Sequence, residues 1–138
     1  MFRVSVTLDE DVDRDILGSA LETTVERFPS FRYSVRNGLF WWFLQKLENK
    51  PSVAPPSPLR PFSLNANGGY MFRLSSDGRR LDLDVFHALT DGTGAMTFLL
   101  SLTAEYLRLR YGTIIEYGKW VVNPFEEPSP EEVEDGFD

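Results

Sequence analysis

The 138-residue sequence contains no cysteine and a single histidine, His87. The lack of cysteine excludes disulfide frameworks, thiol nucleophiles and thiolate metal sites, and it fits a reducing compartment. No apolar run is long enough to cross a bilayer, because the longest candidate, GLFWWFL, has the length of a strand. No cationic leader followed by an apolar stretch precedes the first predicted strand. We therefore expect a cytoplasmic protein without a membrane span.

The sequence also lacks a surplus of basic residues. Its formal net charge is −7, and seven of its 21 acidic residues fall within residues 124–138, where there is no Lys or Arg. The acidic residues that remain in the body equal its 14 Lys and Arg residues in number. A neutral body with an acidic tail has no electrostatic footprint for nucleic acid. We predict one folded domain over residues 1–123 and an acidic, proline-containing tail or linker over residues 124–138.

Hydrophobic periodicity predicts the first strand and two helices. The alternation in FRVSVTL, residues 2–8, is typical of a half-buried strand. Apolar residues then recur at spacings of three and four, which predicts an amphipathic helix that ends at Pro29. The same spacing predicts a second helix from Gly94 to a stop at Gly112.

Two hairpins are predicted between these helices. Asn37-Gly38 and Asp77-Gly78 each separate two apolar-rich runs, and such dipeptides favour a type I′ turn. The segment 49–61 contains five prolines and is predicted to be a loop. The resulting order is strand, helix, two strands, loop, two strands and helix. This order predicts an α+β fold, a two-layer sandwich of a mostly antiparallel sheet with helices on one face.

The single histidine lies in DVFHALTDGTGAMTFLL, residues 84–100. Strand alternation predicts that His87 ends a strand and points to the apolar side, while Asp82, Asp84 and Phe86 face the other way. Partial burial would lower the proton affinity of the imidazole and keep its neutral form available as a general base. A carboxylate at Asp91 would hold the following turn by binding backbone donors or an arginine. From these residues alone, a packed structural histidine is an equally good interpretation.

Two motifs resemble those of a known superfamily. HALTDG resembles the HxxxDG signature of the chloramphenicol acetyltransferase-like acyltransferases, which include peptide synthetase condensation domains, BAHD-type acyltransferases and bacterial alcohol acetyltransferases. ERFPSFRYSV resembles the upstream pattern RHxxLRTxF, and the run from FRVSVTL to AEYLRLRYG is similar to the N-terminal half of the alcohol acetyltransferase-like branch. The resemblance implies that His87 is the catalytic base, that Arg32 pairs with a structural Asp91, and that Gly92 leaves space beside the histidine.

The resemblance further implies an acyl-CoA-dependent acyltransferase. Acetyl-CoA or another acyl-CoA would be the co-substrate, a small alcohol or amine would be the acceptor, and no metal or permanently bound cofactor would be needed. Condensation domains carry a second histidine at the position of Phe86, so this residue favours a simple acyltransferase over peptide-bond formation.

In this superfamily the site lies between two similar halves or between subunits. The chain is therefore expected to be inactive alone and to require a missing C-terminal half, another subunit or a homo-oligomer. The alternative is a non-catalytic binding or interaction module that retains the fold.

Overall fold

A computed structural model describes residues 1–64 and 66–126, apart from the side chains of residues 36, 37 and 42. Residues 127–138 of the predicted acidic tail lie outside the described residues. The elements in chain order are β1 (Phe2–Thr7), α1 (Arg14–Arg27), β2 (Tyr33–Asn37), β3 (Trp42–Lys46), β4 (Phe72–Asp77), β5 (Arg80–Val85) and α2 (Gly92–Tyr111). A short 3₁₀ helix, Pro29–Arg32, connects α1 to β2. The predicted order of elements and the α+β class are confirmed.

The central sheet has three antiparallel strands in the order β1-β5-β4. In its middle strand Leu81, Leu83 and Val85 are completely buried, and they belong to one apolar cluster with residues of both helices. We call this side of the sheet the core face. It confirms the predicted layer of helices on one face, because an alternating strand directs every second side chain toward the same layer.

Local hydrogen bonds and backbone conformation fix the start of α1 and the end of α2. Asp13 precedes α1, and its carboxylate accepts hydrogen bonds from the backbone N–H groups of Asp15 and Ile16 at 3.0 and 3.1 Å. Gly112 follows α2 with a φ of 67°, and its N–H donates to the carbonyl oxygen of Arg108. A left-handed residue of this kind is readily supplied by glycine. The predicted stop at Gly112 is confirmed.

The hairpin between β4 and β5 is confirmed, but its turn lies one residue later than predicted. Asp77 pairs with Arg80, so the two-residue loop consists of Gly78 and Arg79. Gly78 has a φ of 59°, and no other residue with a positive φ lies in this loop. A glycine in the first loop position is typical of a type II′ turn, which also matches the twist of the two strands.

The hairpin between β2 and β3 forms a second, separate sheet. Asn37 pairs with Trp42, so residues 38–41 form the connection, and the predicted two-residue turn at Asn37-Gly38 is wrong. The apolar side chains of this connection point away from the body, and Phe40 is 87% exposed. We call residues 39–44 the hairpin tip; its exposed large apolar side chains are Leu39, Phe40, Trp41, Phe43 and Leu44.

The segment 49–63, which we call the proline loop, passes the β4 edge of the central sheet, and its part around Ser57 lies on the side of the sheet opposite the helices. Ala54 forms a parallel bridge with Ser75 of β4, and the carbonyl oxygen of Ser57 accepts a hydrogen bond from Arg3 of β1 at 2.7 Å. The loop thus contacts residues of both outer strands of this sheet. We call the side opposite the helices the outer face.

The chain after α2 returns along the helices. The N–H of Val122 donates to the hydroxyl of Ser101 at 2.9 Å, and the carbonyl oxygen of Asn123 accepts a bond from Arg27 at 3.1 Å. The guanidinium of Arg108 lies over the ring of Phe125. A domain boundary at residue 123 stays a prediction. Within the two described ranges, no helix combines the length and the apolar character that crossing a membrane requires.

Candidate functional site

The turn from Phe86 to Asp91 joins β5 to α2 and is anchored from within. The N–H of Leu89 donates to the carbonyl oxygen of Phe86 at 2.9 Å, which closes the turn. The Leu89 side chain is completely buried and belongs to the apolar core, and Thr90 is buried beside it. Because the turn is fixed at Leu89 and at the start of α2, the residues between β5 and Leu89 have a defined position.

His87 lies on the outside of this turn. Its side chain is exposed, and its ring contacts the ring of Phe2 with a centroid distance of 4.8 Å and an interplanar angle of 42°. The predicted apolar contact is present, since Phe2 packs against the core cluster. The predicted partial burial of His87 is wrong, because β5 ends at Val85 and strand alternation does not continue to residue 87. The imidazole is therefore accessible to a molecule that approaches from solvent.

Asp91 caps the N-terminus of α2. One carboxylate oxygen accepts a hydrogen bond from the N–H of Gly94 at 2.8 Å, and the backbone carbonyl of Asp91 accepts one from Ala95. A side-chain oxygen in this position satisfies an N–H group that has no partner within the helix. Of the two roles considered for Asp91, binding backbone donors is the one observed.

Arg32 lies elsewhere and has other partners. One of its Nη atoms is 2.5 Å from a carboxylate oxygen of Glu26, and its Nε and other Nη donate to the carbonyl oxygen of Leu47 at 3.2 and 2.9 Å. No ion pair joins Arg32 to Asp91 within residues 1–64 and 66–126, so the predicted pair is wrong. The 3₁₀ helix that ends at Arg32 directs this side chain toward the end of β3.

The two glycines after Asp91 have different surroundings. A Cβ atom at Gly92 would meet nothing within 4 Å, and the prediction that Gly92 leaves space beside His87 stays a prediction. A Cβ atom at Gly94 would lie 1.9 Å from the hydroxyl oxygen of Thr90. Gly94 is therefore the glycine that the turn requires. The sequence DGTG contains both Gly92 and Gly94 and does not show which of them has this role.

A group of charges lies on the outer face, and its two carboxylates are buried. We call it the outer-face network; it consists of Arg3, Arg73, Arg80, Asp82 and Asp84. The carboxylate of Asp84 is completely buried and contacts both Arg3 and Arg73 at 2.6 Å. The hydrogen bond with Asp84 raises the pKa of Arg3, which outweighs the opposite effect of burial.

The outer-face network is absent from our sequence predictions, although part of its signal is visible. Alternation in LDLDV places Asp82 and Asp84 on one face, and Arg3 occupies a polar position of FRVSVTL. The same face connects to the turn of His87, because the ring of Phe86 packs against that of Phe62 at 4.9 Å. Sequence alone does not show that the proline loop contacts Arg3 and Arg73 on this face.

Comparison with known proteins gives structural relatives only. No family model matches the chain, and no curated protein sequence matches it. Solved structures do match. The complex of the X-domain and OxyB from teicoplanin biosynthesis gives a TM-score of 0.63 at 17% identity, over 85% of this chain and 29% of that chain.

Two further structures show the same relationship. Polyketide synthase associated protein 5 from Mycobacterium tuberculosis gives a TM-score of 0.63 at 17% identity, over 93% of this chain and 31% of that chain. The starter condensation domain of rhizomide synthetase gives 0.59 at 12% identity, over 81% of this chain and 33% of that chain. The chain therefore has part of the fold of these structures, and it spans about a third of their length.

Proposed function

We propose that this chain is the N-terminal part of an acyl-CoA-dependent acyltransferase in which His87 is the general base. The observation that carries the proposal is the position of the only histidine, which is exposed on the anchored turn between β5 and α2. In the proposed reaction, an acyl group moves from the thioester of acetyl-CoA or another acyl-CoA to a small alcohol or amine. The scheme requires no metal and no permanently bound cofactor.

In this scheme His87 holds a proton during the transfer. A neutral ring nitrogen accepts the proton of the acceptor hydroxyl while the acceptor oxygen attacks the thioester carbonyl. The tetrahedral intermediate then collapses, the C–S bond breaks, and the imidazolium returns its proton to the leaving thiolate. The products are the ester and free coenzyme A. The exposed position of His87 supports this role because both substrates must reach the ring.

Asp91 supports the proposed site through the start of α2, and Gly92 follows it as the first residue of that helix. The cap made by Asp91 fixes the first turn of the helix, and with Leu89 in the core it holds both ends of the short segment that carries His87. Asp91 is therefore proposed as a positioning residue. Arg32, whose partners are Glu26 and Leu47, supports the β3 end of the molecule instead.

The rest of the proposed site must come from additional chain. Because this chain spans about a third of its structural relatives, we propose that a C-terminal part, another subunit or a second copy supplies the coenzyme A site and the remaining walls. The exposed apolar side chains of the hairpin tip fit such a contact, since patches of this kind mark interaction surfaces. We propose that the chain is inactive alone and, because it lacks cysteine, that it acts in the cytoplasm.

Phe86 supports transfer to a small acceptor rather than peptide-bond formation. The resemblance to condensation domains predicts a second histidine at this position, and here an aromatic ring packs against Phe62 instead. A group in this contact has no proton to donate or accept. The proposed reaction therefore uses one histidine.

A second candidate function is a non-catalytic binding module. The observation that favours it is the separation of Arg32 from Asp91, because the resemblance implies that these residues form an ion pair in active relatives. In that case the fold would be retained for its surfaces, and His87 would have no part in a reaction.

Thioester turnover distinguishes the two candidates. Free coenzyme A released from acetyl-CoA would be measured with a panel of small alcohols and amines, for the 138-residue chain and for the full-length gene product. Each would be compared with its His87→Ala variant and with Arg79→Gln, an exposed residue at the opposite end of β5. We expect turnover by the long form only, a loss of about 10²-fold or more in His87→Ala, which removes the base, and no change in Arg79→Gln.

Two results would contradict the acyltransferase proposal. If the long form shows turnover that His87→Ala leaves unchanged, His87 is not the base. If neither form releases coenzyme A across the panel, including long-chain acyl donors, the binding module becomes the better interpretation.

A further inference from the structure

We propose that a cleft between the proline loop and the outer face binds a small oxyanion, a phosphate or carboxylate group carried by a small molecule. The cleft has a volume of about 280 Å³. Water occupies about 30 Å³ per molecule in the liquid, so a phosphate or a small carboxylic acid fits this space. The residues that define its chemistry are Ser57, Arg60, Phe62 and Arg73, with Ala54 and Pro55 as apolar walls.

The charge around the cleft is positive. The guanidinium groups of Arg3 and Arg73 share the single carboxylate of Asp84, although Arg3 also lies 3.7 Å from Asp82. Arg60 adds a further positive charge, and within the part of the chain that the structure describes it has no ion pair. An excess of cationic groups around a small cleft favours a ligand with negative charge.

Two buried polar atoms in the cleft have no hydrogen-bond partner among the described residues. They are the Nε of Arg73 and the hydroxyl oxygen of Ser57. A third such atom, the hydroxyl of Ser75, belongs to the same face of β4 as Arg73. Buried polar groups nearly always have partners, because leaving one without a partner costs about 1–3 kcal/mol. Both residues line the cleft, so a ligand oxygen held there would lie beside these two groups.

The geometry of Arg73 fits an oxyanion in particular. One Nη is bound to Asp84 at 2.6 Å, and the ring of Phe62 lies 4.8 Å from the guanidinium carbon. The guanidinium is thus held in place while its Nε remains without a partner. A planar guanidinium with a free donor recognises carboxylate or phosphate oxygens. The exposed and flexible Arg60 can close over the same ligand.

This cleft is separate from the proposed acyl-transfer site. Phe62, which lines the cleft, contacts Phe86, the residue before His87, while the ring of His87 contacts Phe2 instead. The binding chemistry of the cleft uses arginines and a serine, and none of these residues contributes to the proposed proton transfer. Anion binding would therefore persist in His87→Ala.

The test is a titration of the 138-residue chain with inorganic phosphate and, separately, with benzoate, at constant ionic strength. Amide and guanidinium N–H signals would be followed by heteronuclear NMR, with Arg73→Lys used to assign the Arg73 Nε–H signal. We expect a saturable shift of that signal with a dissociation constant of about 1–10 mM for the better probe. Tighter binding of benzoate would identify a carboxylate with an apolar body, and tighter binding of phosphate would identify a phosphate group.

Three variants make the test specific, and none of them removes a partner of Asp84. Arg60→Gln should weaken binding about fivefold or more and Ser57→Ala about threefold, because each removes one direct contact to the anion. Arg79→Gln removes an exposed charge outside the cleft and should change the dissociation constant less than about twofold. The proposal is overturned if neither probe gives a saturable shift up to 50 mM, or if Arg79→Gln and Arg60→Gln weaken binding equally.

Discussion

The middle strand of the central sheet is buried on both of its faces, and the two faces are chemically opposite. On the core face, Leu83 is completely buried against the helices, and on the outer face its neighbour Asp84 is completely buried. The apolar face gains stability from every side chain removed from water. The charged face gains little net stability, because desolvation of the charges offsets most of their attraction. The comparison shows that burial alone does not reveal what a face contributes.

The comparison predicts that removing one charge costs more than removing one apolar side chain. Asp84→Ala leaves Arg3 and Arg73 without their shared carboxylate, and we expect a loss of about 3–5 kcal/mol in the free energy of unfolding. Urea denaturation would measure it. Asp77→Ala is the matched control, because that carboxylate is exposed and approaches Arg80 only at 3.7 Å, and it should change stability by less than about 0.5 kcal/mol. Equal effects of the two variants would show that the outer face is not effectively buried.

Leu83→Ala tests the core face at the adjacent position of the same strand. We expect a loss of about 3 kcal/mol, from the lost transfer free energy and the cavity that remains. The same denaturation experiment measures it, with Leu109→Ala as the control, since Leu109 of α2 is 41% exposed. A loss below about 1 kcal/mol in Leu83→Ala would contradict a well-packed core face.

Ser5→Ala gives the smallest effect and probes a single hydrogen bond of the outer face. The hydroxyl of Ser5 donates to a carboxylate oxygen of Asp82 at 2.6 Å. Asp82 keeps its bonds to Arg80 after the substitution, so we expect a loss of about 1 kcal/mol. Thr7→Ala, the next exposed residue on the same face of β1, is the control. A loss in Ser5→Ala that equals the loss in Asp84→Ala would mean that the network acts as one unit.

Sequence alone predicted the strands and helices well because apolar residues recur at different spacings in the two kinds of element. Alternation over residues 2–8 and spacings of three and four in both helices are local signals, and the structure confirms all three elements. The turns were less predictable. Asn37-Gly38 and Asp77-Gly78 have the same turn chemistry, but the cross-strand register moved one turn by a residue and replaced the other with four residues.

The site was predicted in position but not in contacts. The motif located His87 and Asp91 at the junction of a strand and a helix, and the structure places them there. The predicted partial burial of His87 was wrong because strand alternation was carried two residues beyond the end of β5. The partner of Arg32 was wrong because the 3₁₀ helix before β2 sets its direction. Neither the turn after β5 nor the 3₁₀ helix before β2 has a regular spacing of apolar residues from which its side-chain directions could be predicted.

The central claim is that His87 is held on the turn for a function and is not needed for the fold. The measurement that tests this claim most directly is the unfolding free energy of His87→Ala. His87 is exposed and contacts only the ring of Phe2 among the aromatic residues described, so the fold should not depend on it. We predict a change of less than about 0.5 kcal/mol relative to the wild-type chain, as for other exposed positions. A loss of more than about 2 kcal/mol would contradict the account, because His87 would then be a structural residue and its place on the turn would require no function.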